Sequence, residues 1–187
     1  MFRDRQQFDQ LRAALTELGA DFIKLAGDPQ VAYAMSGRLY LSASGFLLLG
    51  VPNALVRGAF QALDEPGISL PPGIDGKLDA HVTVMHPSEI AKIGGPDKIK
   101  ERGQTFSYRL GGLETVEPDG WKEIERVWAL RVFSPDLQEL RQSYGLSGLP
   151  REGKYAFHLT IAVRGKGVLA RNEKSRASSQ ALDLWKS

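Results

Sequence analysis

The stretch that decides the fold is DAHVTVM at residues 79–85, and it has a counterpart in YAFHLTIAVR at residues 155–164. Each stretch contains the pattern His-x-Thr-hydrophobic among apolar, mostly β-branched residues, which predicts two strands. Side chains alternate between the two faces of a strand, so each His shares a face with its Thr and the apolar residues point to the core. The four polar residues of the two patterns are His81, Thr83, His158 and Thr160.

Two of the three histidines of the chain therefore lie beside a hydroxyl on a strand. Histidine titrates near neutral pH, so one neutral and one protonated imidazole can act as base and acid on the same phosphodiester. Hydroxyl groups can donate to the nonbridging oxygens as charge builds there. If the two strands face one another, the pattern predicts metal-free phosphoryl transfer. The plain alternative is a pair of ordinary strand histidines whose neighbouring hydroxyls bond to the backbone.

The paired pattern resembles the signature of the 2H phosphoesterase superfamily, and the resemblance rests on His81, Thr83, His158 and Thr160. This superfamily includes RNA 2′,3′-cyclic phosphodiesterases, 2′-5′ RNA ligase-like enzymes, and viral enzymes that destroy cyclic or 2′-5′ oligonucleotide messengers. The resemblance implies an α+β, two-lobed fold in which antiparallel sheets line a central cleft and helices lie outside. It also implies that the histidines are the acid and the base, and that the reaction needs no metal and no cofactor.

Composition narrows the class of partner. The 187 residues suit one domain, and a net charge of only +2 argues against binding long duplex DNA, which needs many phosphate contacts. Cysteine is absent, which removes Cys-based metal and redox sites. The N-terminus has no apolar signal region, and the longest apolar run, Phe46–Val51, is too short to span a membrane. We therefore expect no membrane association and a cytoplasmic protein, in the host cytoplasm if the protein is viral.

Other elements are predicted from periodicity and from Gly and Pro positions. The order strand–helix–loop–motif strand occurs twice, which indicates an internal duplication of an α+β architecture rather than a doubly wound parallel sheet. We expect a helical extension at 1–20, a strand at Phe46–Val51, a helix from Pro52 to about Leu63, a short helix at Ser88–Ile93, a lobe boundary near 94–96, a hairpin of Thr105–Leu110 and Leu113–Val116 around two glycines, a strand at Glu125–Phe133, a helix from Pro135 to Tyr144, and a mobile basic segment at 165–179.

Three further residues are predicted to bind substrate. Arg164 shares a face with His158 and Thr160 if the strand is regular, and it is placed to hold a phosphate. Tyr155 precedes the second motif and can stack on a base, and Lys154 can attract phosphates. Among the neighbouring residues, Asp79 is a candidate to orient the ring of His81. His86 is interpreted as a surface or turn histidine, which would lie on the opposite face if the strand continued. No metal site is predicted, because the spacing of the three histidines diverges on a strand.

The leading hypothesis is thus a phosphodiesterase acting on a small ribonucleotide. Low basicity and a short chain favour a cyclic oligonucleotide messenger, as in the viral immune-evasion members of the superfamily. Processing of RNA ends, either a 2′,3′-cyclic phosphate or a 2′-5′ linkage, is the alternative. A nucleotide-binding module without catalysis is a second class of function, against which the intact His and Thr residues argue. The sequence predicts no oligomeric state.

Overall fold

The computed structural model of the protein describes residues 33–74, 79–118 and 122–166. Within them lie six strands and three α-helices, and a 3-10 turn at Pro96–Lys98 joins α2 to β4. The strands are β1 (Tyr33–Leu41), β2 (Leu47–Val51), β3 (Ala80–Met85), β4 (Thr105–Val116), β5 (Ile124–Phe133) and β6 (His158–Gly165), and the helices are α1 (Asn53–Gln61), α2 (Pro87–Lys92) and α3 (Pro135–Ser143). The predicted extension at 1–20 and all but the first two residues of the basic segment at 165–179 lie outside the described residues.

The six strands form one closed antiparallel barrel in the order β1-β2-β3-β6-β5-β4. The element order β1-β2-α1-β3 is repeated as β4-β5-α3-β6, so the predicted duplication is confirmed. The two halves meet where β3 pairs with β6 and where β1 pairs with β4. The α+β class and the antiparallel pairing are confirmed, whereas the strands of both halves share one barrel instead of forming two separate sheets. The two-lobed cleft therefore stays a prediction.

The helices begin where local chemistry favours them. Pro52 directly precedes α1, and its fixed φ suits the start of a helix. The Ser134 hydroxyl accepts a hydrogen bond from the Leu137 amide at the start of α3, and Pro135 follows as the first helical residue. Helix α1 buries Leu55, Val56 and Ala59, while α3 buries Leu137, Leu140 and Arg141. These apolar faces join one hydrophobic core with the buried side chains of the barrel strands.

The predicted hairpin around Gly111 and Gly112 is wrong, because β4 runs unbroken from Thr105 to Val116. The pairing of β4 with β5 shifts register between Leu110 and Leu113, at the two glycines. A Cβ atom on Gly111 would lie 2.6 Å from the ring of Phe133, so any larger residue here would force that ring to move. The glycines thus allow an irregularity within one long strand, which is the other common use of glycine in a strand pattern.

An irregularity in β3 decides which way the end of that strand faces. Leu48 pairs with Thr83, but the preceding residue, Leu47, pairs with Met85, so β3 carries one extra residue. Val84 and Met85 are consecutive and both fully buried, which a regular strand does not allow when one face is polar. The alternation is therefore reset, and His86 returns to the face of Thr83. The opposite face was expected only if the strand continued, but β3 ends at Met85 and His86 lies at the turn before α2, which agrees with its interpretation as a surface or turn histidine.

Candidate active site

The pairing of β3 with β6 brings the two motifs together. Val82 lies opposite Leu159 in an antiparallel register, and both side chains are buried in the core. One step along each strand, this register places His81 beside Thr160, and in the other direction it places Thr83 beside His158. Directly opposed residues of antiparallel strands have Cβ atoms about 5 Å apart. Each imidazole is thus adjacent to its own Thr along the strand and to the other Thr across the ladder.

The four polar side chains of the motifs line a single pocket. Its cavity volume is about 80 Å³, and the segment before β3 supplies the rest of its wall. Since one water molecule needs roughly 10–15 Å³ on this measure, the cavity has room for a group the size of a phosphate with its attached oxygens. The residues that line the pocket are Pro71, Pro72, Ile74, Asp79, Ala80, His81, Thr83, His158 and Thr160.

Both imidazoles are held in the same way. Nδ1 of His81 lies 2.9 Å from the carbonyl oxygen of Asp79, and Nδ1 of His158 lies 2.9 Å from the carbonyl oxygen of Ala156. A carbonyl oxygen only accepts hydrogen bonds, so in each neutral ring Nδ1 carries the hydrogen and Nε2 keeps its lone pair. Each Nε2 can therefore accept a proton, or donate one when its ring is charged. Asp79, which was only a candidate for this role, contacts His81 through its backbone carbonyl and not through its carboxylate, and Ala156 makes the matching contact with His158.

Arg164 does not lie in the pocket with the two histidines. Its side chain is 5% exposed, its guanidinium lies 4.9 Å from the centre of the Trp128 ring, and it forms ion pairs with Glu65 at 3.5 Å and Glu125 at 3.9 Å. It is not among the residues that line the pocket. The β5–β6 register explains the difference, because it shifts between Trp128 and Ala129 and breaks the regular alternation of β6. Arg164 is therefore buried against carboxylates, and its predicted position on the face of His158 is wrong.

Arg131 lies on the face of His158 that was expected of Arg164, although it is not among the residues that line the pocket. It pairs directly with His158 in the β5–β6 ladder, so the two side chains leave the sheet on the same face. Its side chain is about half exposed and forms an ion pair with Glu114. Nothing in the sequence singles out this arginine, because its proximity to His158 depends on the register of two strands that are about 25 residues apart. The only local signal is a charged residue within the otherwise apolar run Val127–Phe133.

Tyr155 and Lys154 lie in the loop before β6. Tyr155 is 40% exposed, and two cations lie close to its ring: Lys154 Nζ at 5.6 Å and the Arg151 guanidinium at 5.7 Å from the ring centre. Such distances are typical of cation–π contacts. Neither Tyr155 nor Lys154 lines the pocket with the two histidines. They form an exposed aromatic and basic cluster at the start of the second motif strand.

A buried ion pair fixes this loop to the end of β3. Arg141 Nη2 lies 2.7 Å from Glu89 Oε1, and both side chains are almost fully buried. The same carboxylate accepts the backbone N–H of His86 on Oε2 and that of Arg151 on Oε1, each at 2.9 Å. Burial raises the pKa of Glu89, but the hydrogen bonds from Arg141, His86 and Arg151 outweigh burial, and the net shift is downward. Glu89 thus joins two segments that border the motif strands.

His86 packs edge-on against the ring of Phe46, with the ring centroids 5.3 Å apart. Burial lowers the pKa of His86, and the charges of Arg151, Arg141 and His158 lower it further. The backbone N–H groups of His86 and Arg151 bind the same carboxylate of Glu89, so His86 lies near the loop that leads into the second motif. Because its pKa lies below the ordinary value, the ring is mostly neutral at pH 7.

Comparison with known proteins gives one match. A family model described as "Swiss Army Knife, 2H phosphoesterase domain" matches residues 58–168, which include both His-x-Thr motifs. Searches of curated proteins and of solved structures found no match. In the described part of the chain, no helix is long and apolar enough to cross a membrane, and no three His, Cys, Asp or Glu side chains are grouped as a metal site would require.

Proposed function

Because the chain belongs to the 2H phosphoesterase family, we propose that it is a phosphodiesterase that cleaves a small ribonucleotide by metal-independent acid–base catalysis. One observation carries the proposal: His81, Thr83, His158 and Thr160 line the same pocket. The identical anchoring of the two rings supports it, because both neutral imidazoles then present the same nitrogen for proton transfer.

In the proposed reaction, Nε2 of one histidine takes the proton of a ribose 2′-hydroxyl. The 2′-oxygen forms a bond to phosphorus while the bond from phosphorus to the leaving oxygen breaks, and Nε2–H of the other histidine protonates that oxygen. The product is a 2′,3′-cyclic phosphate, which water opens in a second step with the two roles exchanged. The near-symmetric arrangement of His81 and His158 suits such an exchange, because each ring serves in turn as acid and as base.

The hydroxyls of Thr83 and Thr160 donate to the nonbridging oxygens of the phosphate, where negative charge grows in the transition state. Each Thr lies beside the histidine of the opposite strand, so the pocket can bind the phosphate from both sides. Arg131, beside His158, adds a positive charge near the same oxygens. In this proposal each half of the duplicated fold acts as one lobe and supplies one histidine and one threonine.

We further propose that the substrate is a cyclic oligonucleotide rather than a long RNA. A net charge of +2 favours a ligand with few phosphates. Tyr155 offers an exposed ring for stacking on a base, and Lys154 lies next to it. RNA ends with a 2′,3′-cyclic phosphate or a 2′-5′ linkage are the alternative, because the same four pocket residues would serve that chemistry equally.

The proposal is tested by incubating the protein in EDTA with a cyclic dinucleotide, a 2′-5′ oligoadenylate and an RNA that ends in a 2′,3′-cyclic phosphate. Products from at least one of them, lost in His81→Gln and His158→Gln, are the expected result. Turnover that disappears in EDTA and returns with zinc or manganese would assign the protein to metal-dependent hydrolases instead. Tight binding without products would favour the nucleotide-binding module.

The nucleophile is identified by comparing matched ribose and deoxyribose ligands. If the 2′-hydroxyl attacks, a 3′-5′ linked ligand with deoxyribose at that position binds but is not cleaved. Equal cleavage of the deoxyribose ligand would mean that water attacks phosphorus directly. Efficient turnover of the RNA end alone would select the RNA-processing alternative.

A further inference from the structure

The C-terminal end of β3 and the N-terminal end of β6 lie side by side, because the two strands are antiparallel. His86 follows β3 directly, and Arg151 and Tyr155 belong to the loop that leads into β6. All three therefore lie beyond the end of the β3–β6 pair at which Thr83 and His158 lie, outside the set of residues that line the pocket. The segment from Pro71 to Ile74 also contributes to the pocket wall.

His86 and Arg151 are fixed relative to one another. Their backbone N–H groups bind the two oxygens of one carboxylate, that of Glu89, which Arg141 holds in the core. Arg151 also has a positive φ of 50°, and the next residue, Glu152, has a φ of 60°. Such conformations cost residues other than glycine about 1–3 kcal/mol each and persist where surrounding contacts impose them, often at ligand-binding sites.

The charges at this end are not balanced locally. Glu152 is engaged by Lys92 at 2.8 Å, on the side of α2. Within residues 33–74, 79–118 and 122–166, no carboxylate forms an ion pair with Arg151 or Lys154, and both cations lie over the Tyr155 ring. Two cations with no described acidic partner, beside a half-buried imidazole, suit an anionic ligand.

We propose that His86 and Arg151 form a second anion subsite, which binds the phosphate next to the scissile one. The arginine can donate two parallel hydrogen bonds to a phosphate, and a neutral imidazole can donate one more. This inference rests on the proposed function, since it takes the pocket of His81 and His158 as the site of the scissile phosphate. It deepens that function by naming the substrate class: ligands with at least two phosphates, cyclic or linear, rather than a cyclic mononucleotide.

The test uses three ligands that share one internal phosphodiester: the dinucleotide ApA, pApA with an added 5′-phosphate, and ApAp with an added 3′-phosphate. We measure KM for each ligand that is cleaved, and Kd by titration calorimetry for each ligand that is not. One of the two phosphorylated ligands is expected to bind about tenfold more tightly than ApA, as suits hydrogen bonds from a charged donor. This ratio should fall to about one in His86→Ala and in Arg151→Ala.

Lys98→Ala is the matched control, because it removes one positive charge from the exposed 3-10 turn and should keep the tenfold ratio. Equal affinity of the unmodified protein for ApA, pApA and ApAp overturns the subsite, and so does a ratio that survives in both variants. If none of the three is cut but the ratio behaves as expected, the proposed reaction fails on these ligands and the subsite stands. If the ligands are cut but the added phosphate does not change their affinity, the proposed reaction stands and the subsite fails.

Discussion

Thr83 lies beside His158 across the β3–β6 ladder, one residue from the point where Val82 faces Leu159. The same register sets His81 beside Thr160. A threonine from one half of the fold therefore accompanies the histidine of the other half. The pocket is formed jointly by the two halves, so a change in the register of this one strand pair would move all four side chains relative to each other.

Substitutions at the four motif positions should separate proton transfer from charge stabilisation. We expect His81→Gln and His158→Gln each to lower kcat/KM by about 10²–10⁴-fold, the usual contribution of a general acid or base. Thr83→Ala and Thr160→Ala each remove one neutral donor and should cost about 10–10³-fold. Thr105→Ala, at an exposed position in β4, is the control and should leave the rate unchanged. A threonine variant that is slower than both histidine variants would contradict these roles.

The dependence of rate on pH should be bell-shaped. One imidazole must be neutral to accept a proton and the other must be charged to donate one, so kcat/KM falls at both low and high pH. The measurement is kcat/KM from about pH 5 to pH 9, where histidines titrate. In each histidine variant, one limb of the pH profile should disappear: the acid limb if the replaced histidine is the base, and the alkaline limb if it is the acid. A flat profile in the unmodified protein, with chemistry rate-limiting, would exclude a pair of titrating histidines.

Arg131→Ala should reduce cleavage, whereas Arg164→Ala should act mainly on stability. Arg131 pairs with His158 on the same face of the sheet, so its loss removes a positive charge near the proposed position of the phosphate, which corresponds to about a tenfold to hundredfold decrease in kcat/KM. Arg164 is buried against Glu65 and Glu125, so its removal leaves these carboxylates without their partner. Steady-state kinetics and thermal unfolding of the two variants are the measurements. Loss of activity in folded Arg164→Ala with normal activity in Arg131→Ala would reverse the assignment.

The buried Glu89–Arg141 pair should make the protein sensitive to acid. The folded state lowers the pKa of Glu89 below its ordinary value of 4.5, so the ionised carboxylate contributes stability above the unfolded pKa. This contribution is lost as pH falls through the folded pKa. Arg141→Met leaves a buried carboxylate unpaired and should lower the free energy of unfolding by about 3–5 kcal/mol at neutral pH.

Thermal unfolding between about pH 3 and pH 7 tests the role of Glu89. Glu89→Gln should remove part of the acid-induced decrease in Tm. Glu152→Gln is the control, because its carboxylate pairs with Lys92 on the exposed surface, where ion pairs contribute little. If Glu89→Gln and Glu152→Gln reduce the acid-induced decrease in Tm equally, the buried pair is not the source of that decrease.

The sequence by itself determined features that depend only on residues close together in the chain. The alternation of HVTV and HLTI already placed each histidine with its threonine on one strand face, because strand periodicity depends only on neighbouring residues. The duplication, the two motif strands and the start of α1 after Pro52 follow from patterns that span a few residues, whereas the single long strand β4 was wrongly predicted as a hairpin. The same patterns sufficed to indicate the 2H family, which the family model then showed.

Only the tertiary structure decided which residues from distant segments share the pocket. The register of β5 and β6 placed Arg131 beside His158 and buried Arg164, and the extra residue in β3 returned His86 to the face of Thr83. Registers and strand irregularities depend on how whole strands pack against the core, and one inserted residue inverts every later side chain. No local pattern contains that information, so His86 and Arg131 became candidates only when the barrel was in view.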